Sequence, residues 1–137
     1  MRVLIDTNII LDFFLEREPF RTDAEALFQA IQSKQVRGYV TATTVTDIFY
    51  IARRQTRSIE RARQAVSETL AVMQICLVNR PILEQAFASP LTDFEDAVQL
   101  AWAIANNLDG IITRDTQGFA GAILPILSVG ELLERLS

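Results

Sequence analysis

Asp6, Asp47, Asp93, Asp96 and Asp115 are the residues whose placement in this chain could support chemistry. Asp6 stands where an apolar run, Val3-Leu4-Ile5, stops, and Asp115 follows a second short run in "IITRDTQGF". Asp47 lies one turn into a helical stretch, three residues after Thr44. Asp93 and Asp96 open the strongest helical pattern, "TDFEDAVQLAWAIANN". Each acid also has an ordinary structural reading. Asp6 can cap the following helix, with Thr7 and Asn8 as competing caps. Thr44 with Asp47, and Thr92 with Glu95, have the spacing of a capping box, and Asp115 suits a turn or cap. Two acids on one helix face, with Glu95 in the same turn, are more than capping needs. Four carboxylates brought together repel, so they either raise their pKa values or hold a cation. With no His and no nearby Cys, every ligand is a hard oxygen, which selects Mg²⁺ or Mn²⁺ over zinc or copper.

Bringing these acids together requires a particular arrangement of elements. Short apolar segments ("RVLI", "GYVTA", "ICLV", "IIT", "ILPILS") alternate with helical patterns. One helical face carries Ile9, Ile10, Phe13 and Phe14, another Ala24, Leu27, Phe28 and Ile31, and a third Val45, Ile48, Phe49 and Ala52. Pro81 suits the first turn of "PILEQAFAS". Ala97, Ala101 and Ala105 form a small-residue stripe on which a helix can pack closely. Alternating strands and helices predict an α/β domain around a mainly parallel sheet. In such sheets ligands bind beyond the carboxyl ends of the strands, where Asp6 and Asp115 are expected.

Composition narrows the function. The chain has 137 residues, half of them hydrophobic, which suits one domain over 1–137. No apolar run reaches membrane-spanning length, and the N-terminus lacks the pattern of a secretory signal, so the chain is expected in the cytoplasm and off the membrane. The single Cys76 lies in an apolar stretch and reads as a core residue. Absence of His removes Ser-His-Asp, Cys-His and His general-base chemistry. The net charge of −4 leaves no global attraction for nucleic acid, so such a partner needs a local basic patch. The five glycines fit neither G-x-G-x-x-G nor G-x-x-x-x-G-K. A receiver-type phosphorylation site needs a strand-end Lys, whereas Lys34 is in a helical stretch. A D-x-D phosphatase fails at Asn8.

"LIDTN", "TVTDIFY", "DFEDAVQLAWA" and "IITRDTQGF", in this order and at this spacing, resemble the PIN-domain nucleases over essentially the whole chain. The resemblance is nearest to small bacterial single-domain members, which include VapC-like toxins of toxin–antitoxin pairs. It implies a three-layer α/β/α fold with a mainly parallel central sheet and Mg²⁺- or Mn²⁺-dependent cleavage of RNA. Asp6 matches the first acid of the family and Asp96 the acid opening the Ala-rich helix. Asp47 takes the second acid position, where relatives more often carry Glu. Asp115 matches the fourth and most variable acid. Relatives often have Asn there and an acid just before the Phe, where this chain has Gly118. Asp93 is placed as an auxiliary ligand, and Thr7, Asn8 and Thr113 match polar positions that support the site. The resemblance also implies an antitoxin protein as partner and, with the high apolar content, a homodimer.

"RRQTRSIERAR" holds Arg53, Arg54, Arg57, Arg61 and Arg63 against Glu60, a local +4 in a chain of net −4. It reads either as a solvated helix face or as a contact for RNA phosphates, for which Arg forks are suited. The surviving alternative to an enzyme is a PIN-like domain that binds RNA or protein without cleaving.

Overall fold

The computed structural model describes all residues, 1–137. Five strands form one parallel sheet: β1 (Arg2–Ile5), β2 (Arg37–Thr41), β3 (Gln74–Cys76), β4 (Gly110–Ile112) and β5 (Ile126–Leu127). Their order across the sheet is β3-β2-β1-β4-β5. The first three strands build outward from β1 in one direction, and the last two in the other. β1 and β4 therefore flank the point where the strand order reverses, and their carboxyl ends open on the crevice that such a reversal leaves.

The helices are α1 (Thr7–Phe14), α2 (Arg21–Gln32), α3 (Ala42–Thr56), α4 (Ile59–Val72), α5 (Arg80–Phe87), α6 (Phe94–Ala105) and α7 (Val129–Leu136). A 3-10 turn covers Thr116–Phe119. Alternation of side chains along each strand separates two cores. Val3, Ile5, Val40 and Ile112 face one side, where they meet residues of α1, α2, α3, α4 and α7. Leu4, Tyr39, Ile111 and Cys76 face the other, against α5 and α6. Both faces of the sheet are covered, which is why its strands read as apolar runs rather than as alternating ones. The result is the three-layer α/β/α architecture expected from the sequence. No helix is long and apolar enough to cross a membrane.

Several local expectations are corrected. Helix α3 begins at Ala42, and Thr41, not Thr44, caps it by accepting from the Thr44 amide at 3.2 Å. Asp47 therefore lies in the second turn. Asp93, not Thr92, caps α6 and accepts from the Asp96 amide at 2.9 Å. Of the alanine stripe, Ala97 and Ala101 are buried, but Ala105 is exposed at the end of its helix. Lys34 has left α2 and adopts a left-handed backbone, φ 66°. Phe13 and Phe14 pack in the core beside Phe28, Phe13 stacked on it at 4.0 Å, whereas Phe20 stays exposed.

Gly110 opens β4 with its Cα against β5. A Cβ there would stand 2.8 Å from the Pro125 carbonyl oxygen, a backbone atom that already accepts from the Ile111 amide at 3.0 Å. At Gly38 the nearest atom, Met73 Sδ at 2.7 Å, ends a flexible side chain that can turn away. Gly110→Ala should thus destabilise the domain by about 1–3 kcal/mol and Gly38→Ala by less. Thermal unfolding of the two variants checks the order.

Candidate functional site

Asp6 ends β1 in extended backbone, and its amide donates to the Ile112 carbonyl at 3.0 Å, which pins it to the end of β4. Its carboxylate serves two elements. Oδ1 accepts from the Thr7 amide at 2.8 Å, so Asp6 does cap α1. Oδ2 accepts from the Thr113 hydroxyl at 2.8 Å. Gln99 Nε2 approaches Oδ1 at 3.4 Å from α6. Capping and site-building are one placement here, because the start of α1 is also the edge of the crevice.

Helix α6 brings its acids to the same edge. Asp96 is half-buried, and its carboxyl is pushed up to about 7, first by burial and then by the charges of Asp93, Asp6 and Asp115. The loop after β4 supplies the last of these. The Asp115 amide donates to Thr113 Oγ1 at 3.0 Å, and its own Oδ1 accepts from the Gly118 amide at 3.1 Å. A Cβ built on Gly118 would lie 2.9 Å from Asp115 Oδ2 and 2.9 Å from Asp96 Oδ2, so both carboxylates crowd over this glycine.

Asp47 faces Glu95, an acid whose spacing from Thr92 suggests only a capping box. Glu95, half-buried on α6, is pushed up to about 7, first by burial, then by the Asp47 charge and a hydrogen bond shared with Asp47, with Asp6 and Asp93 adding to it. Two carboxyl groups share a proton most readily when both cannot ionise at once. Glu95 is thus part of the site, and the signal for it is its position one residue before Asp96, turned toward α3 rather than toward the loop.

The polar residues divide. Thr113 is fully buried and bonds Asp6 directly. Thr7 reaches Asp6 through its backbone, while its hydroxyl pairs with Thr44 Oγ1 at 2.9 Å and ties α1 to α3. Asn8 is exposed and accepts from Arg17 Nη1 at 3.3 Å. Arg53, Arg54, Arg57, Arg61 and Arg63 are all exposed, and none is in an ion pair within the chain. Arg53 and Arg54 fall in the last turn of α3, where the helix dipole favours cations.

Asp6, Asp93, Asp96 and Asp115 have no Lys or Arg partner, and burial among like charges makes Glu95 and Asp96 hold their protons up to about pH 7. The fully buried Gln99 leaves its Oε1 without a partner. No three of the acidic side chains form a ready coordination sphere. The donor set, carboxylate oxygens crowded together and short of positive charge, nevertheless has the chemistry that suits a hard divalent cation.

The family model for the PIN domain matches residues 2–117, a span that contains every acid of the cluster. No curated protein matches the sequence. Among solved structures, a toxin–antitoxin complex from Klebsiella pneumoniae is similar at 26% identity and a TM-score of 0.68, covering 93% of this chain and 97% of that one. VapC20 of Mycobacterium tuberculosis, a Sarcin-Ricin loop cleaving toxin, shares the fold at a TM-score of 0.70 and 15% identity, covering 88% of this chain and 96% of its own. VapBC-1 of nontypeable Haemophilus influenzae does so at 0.68 and 17%, covering 95% and 99%. With the family model spanning all but the C-terminal part, the chain belongs to the PIN-domain nuclease family.

Proposed function

We propose that the chain is a Mg²⁺- or Mn²⁺-dependent endoribonuclease and the toxin of a toxin–antitoxin pair. The observation that carries this reading is the meeting of acids from β1, α3, α6 and the loop after β4 at the reversal point of the sheet, with no cationic side chain among them. Asp6, Asp96 and Asp115 would hold the cation, with Asp93 auxiliary and Asp47 beside Glu95 at the second acid position. When bound, such a cation would supply Lewis acidity toward a phosphodiester oxygen and would lower the pKa of a bound water. The chain supplies position. Thr113 and the Thr7 amide hold the two oxygens of Asp6. Exposed Asn8 at the start of α1 offers its amide to a water or phosphate oxygen. Glu95, one methylene longer than Asp47, stands beside it at the second acid position. The antitoxin partner is supported by the toxin–antitoxin complexes among the similar structures. Failure to bind a divalent cation would favour a non-cleaving RNA- or protein-binding module.

Asp6→Asn and Asp96→Asn should each lower cleavage of structured RNA at least about a hundredfold while the fold survives, read as a rate with Mn²⁺, with Mg²⁺ and with chelator. Rates equal to wild type would remove the reading.

The raised acids also set a pH dependence. Glu95 and Asp96 bind protons more tightly in the folded than in the unfolded chain. Their favourable contribution is complete below the ordinary carboxylate range of about 4 and is lost as pH rises through about 7. In chelator, the thermal midpoint should therefore fall between about pH 5 and about pH 8. Added Mn²⁺ should restore it at the higher pH, and Asp96→Asn should flatten the profile.

If the exposed arginines bind RNA phosphates, Arg53→Glu with Arg54→Glu should weaken binding. The dependence of log affinity on log salt should become shallower by about 0.7 for each phosphate no longer neutralised. An unchanged slope would assign the segment to solvent or to the partner protein.

A further inference from the structure

Asp12 is the one carboxylate that the fold fully buries, 1% exposed on the second turn of α1. A buried charge must be paired or it is strongly unfavourable. Arg114 provides the pairing: Nη2 donates to Asp12 Oδ1 at 3.2 Å, and Nε stands 2.9 Å from Oδ2. The second approach is an ion pair without the alignment of a hydrogen bond. Arg17 adds a cation 3.7 Å from Oδ1. The Arg114 guanidinium also lies 3.9 Å over the Phe20 ring, which further restricts it. Burial pushes the Asp12 carboxyl up, and Arg114, then Arg17, pull against that.

Arg114 is not an arbitrary surface residue. It sits between Thr113, whose hydroxyl holds Asp6, and Asp115, whose carboxylate crowds Asp96 over Gly118. The chain bends at Arg114 as it leaves β4, and the Asp115 amide folds back onto Thr113 Oγ1 at 3.0 Å. Arg114 stands at that bend between the two residues, so its anchorage on Asp12 restrains how far either neighbour can turn from the acids.

We propose that Asp12 and Arg114 are positioning residues for the acid cluster. Their half-buried ion pair holds the bend at residues 113–115, and with it the places of Thr113 and Asp115 against Asp6 and Asp96. The inference rests on the proposed function only for its metal readout.

Two variants of the full chain test it. Asp12→Asn keeps the volume and removes the charge, and Arg114→Lys keeps the charge and gives up the planar fork. In chelator, Asp12→Asn should move the backbone amide resonances of Thr113 and Asp115. Both variants should weaken Mn²⁺ binding, measured by calorimetry, between about ten- and a hundredfold while leaving the KM for RNA unchanged. The double variant should bind Mn²⁺ no more weakly than the weaker-binding single variant, because the same ion pair is broken in either case. Unmoved amides, or Mn²⁺ affinity equal to wild type, overturn the proposal. If the wild-type chain binds no Mn²⁺, the nuclease reading fails instead, and the amide resonances still decide the brace. Should Asp12→Asn not fold, the Mn²⁺ affinity of Arg114→Lys decides.

Discussion

Like charges gathered without counter-charge dominate this molecule. The same chain buries Asp12 between two arginines and leaves Asp6, Asp93, Asp96 and Asp115 with none. Neutral groups hold the cluster: amides at helix starts, the Thr113 hydroxyl and the Gln99 side chain. Such donors fix direction without cancelling charge. The acids therefore relieve their repulsion by keeping protons or by taking a cation from solution. A guanidinium in the crevice would stabilise the fold and at the same time occupy the place of the ion.

The rest of the architecture serves that arrangement. Parallel strands release all their carboxyl ends on one edge, and the reversal between β1 and β4 opens a gap there. Helix α1 starts directly from β1 with no loop, so Asp6 cannot drift. Thr41, Thr44 and Thr7 form a hydroxyl chain that locks the start of α3 to the start of α1. Helix α6 crosses from the opposite layer, with small Ala97 and Ala101 turned into the core. Its acids therefore reach the edge from the side that α1 and α3 leave open.

Much of this is legible in the sequence, and what is not shares a cause. Strand runs and helix faces declare themselves within a window of a few residues, so an α/β domain around a mainly parallel sheet is readable from apolar spacing, while the three-layer α/β/α plan follows from the family resemblance. The aspartates at strand ends and the helix start are readable for the same reason. Glu95 is easily misplaced because a local motif with Thr92 explains it cheaply. Its actual neighbour, Asp47, lies on another helix, and no spacing encodes that. Arg114 and Asp12 are 102 positions apart, and neither stands out in its own segment. The five clustered arginines draw attention because they are close in sequence, yet adjacency in sequence is weak evidence for a joint role. Two scattered ones, Arg17 and Arg114, are those beside a buried acid.

Gly118 carries a consequence of its own. With Asp96 Oδ2 and Asp115 Oδ2 both 2.9 Å from where its Cβ would be, a side chain at this position requires one or both carboxylates to turn aside. The two acids come this near to one spot because residue 118 has no side chain. Positions 96, 115 and 118 are a linked choice: an acid introduced at 118 would add a third carboxylate where two already meet. A redesign of this loop therefore has to treat residues 115–118 and Asp96 together.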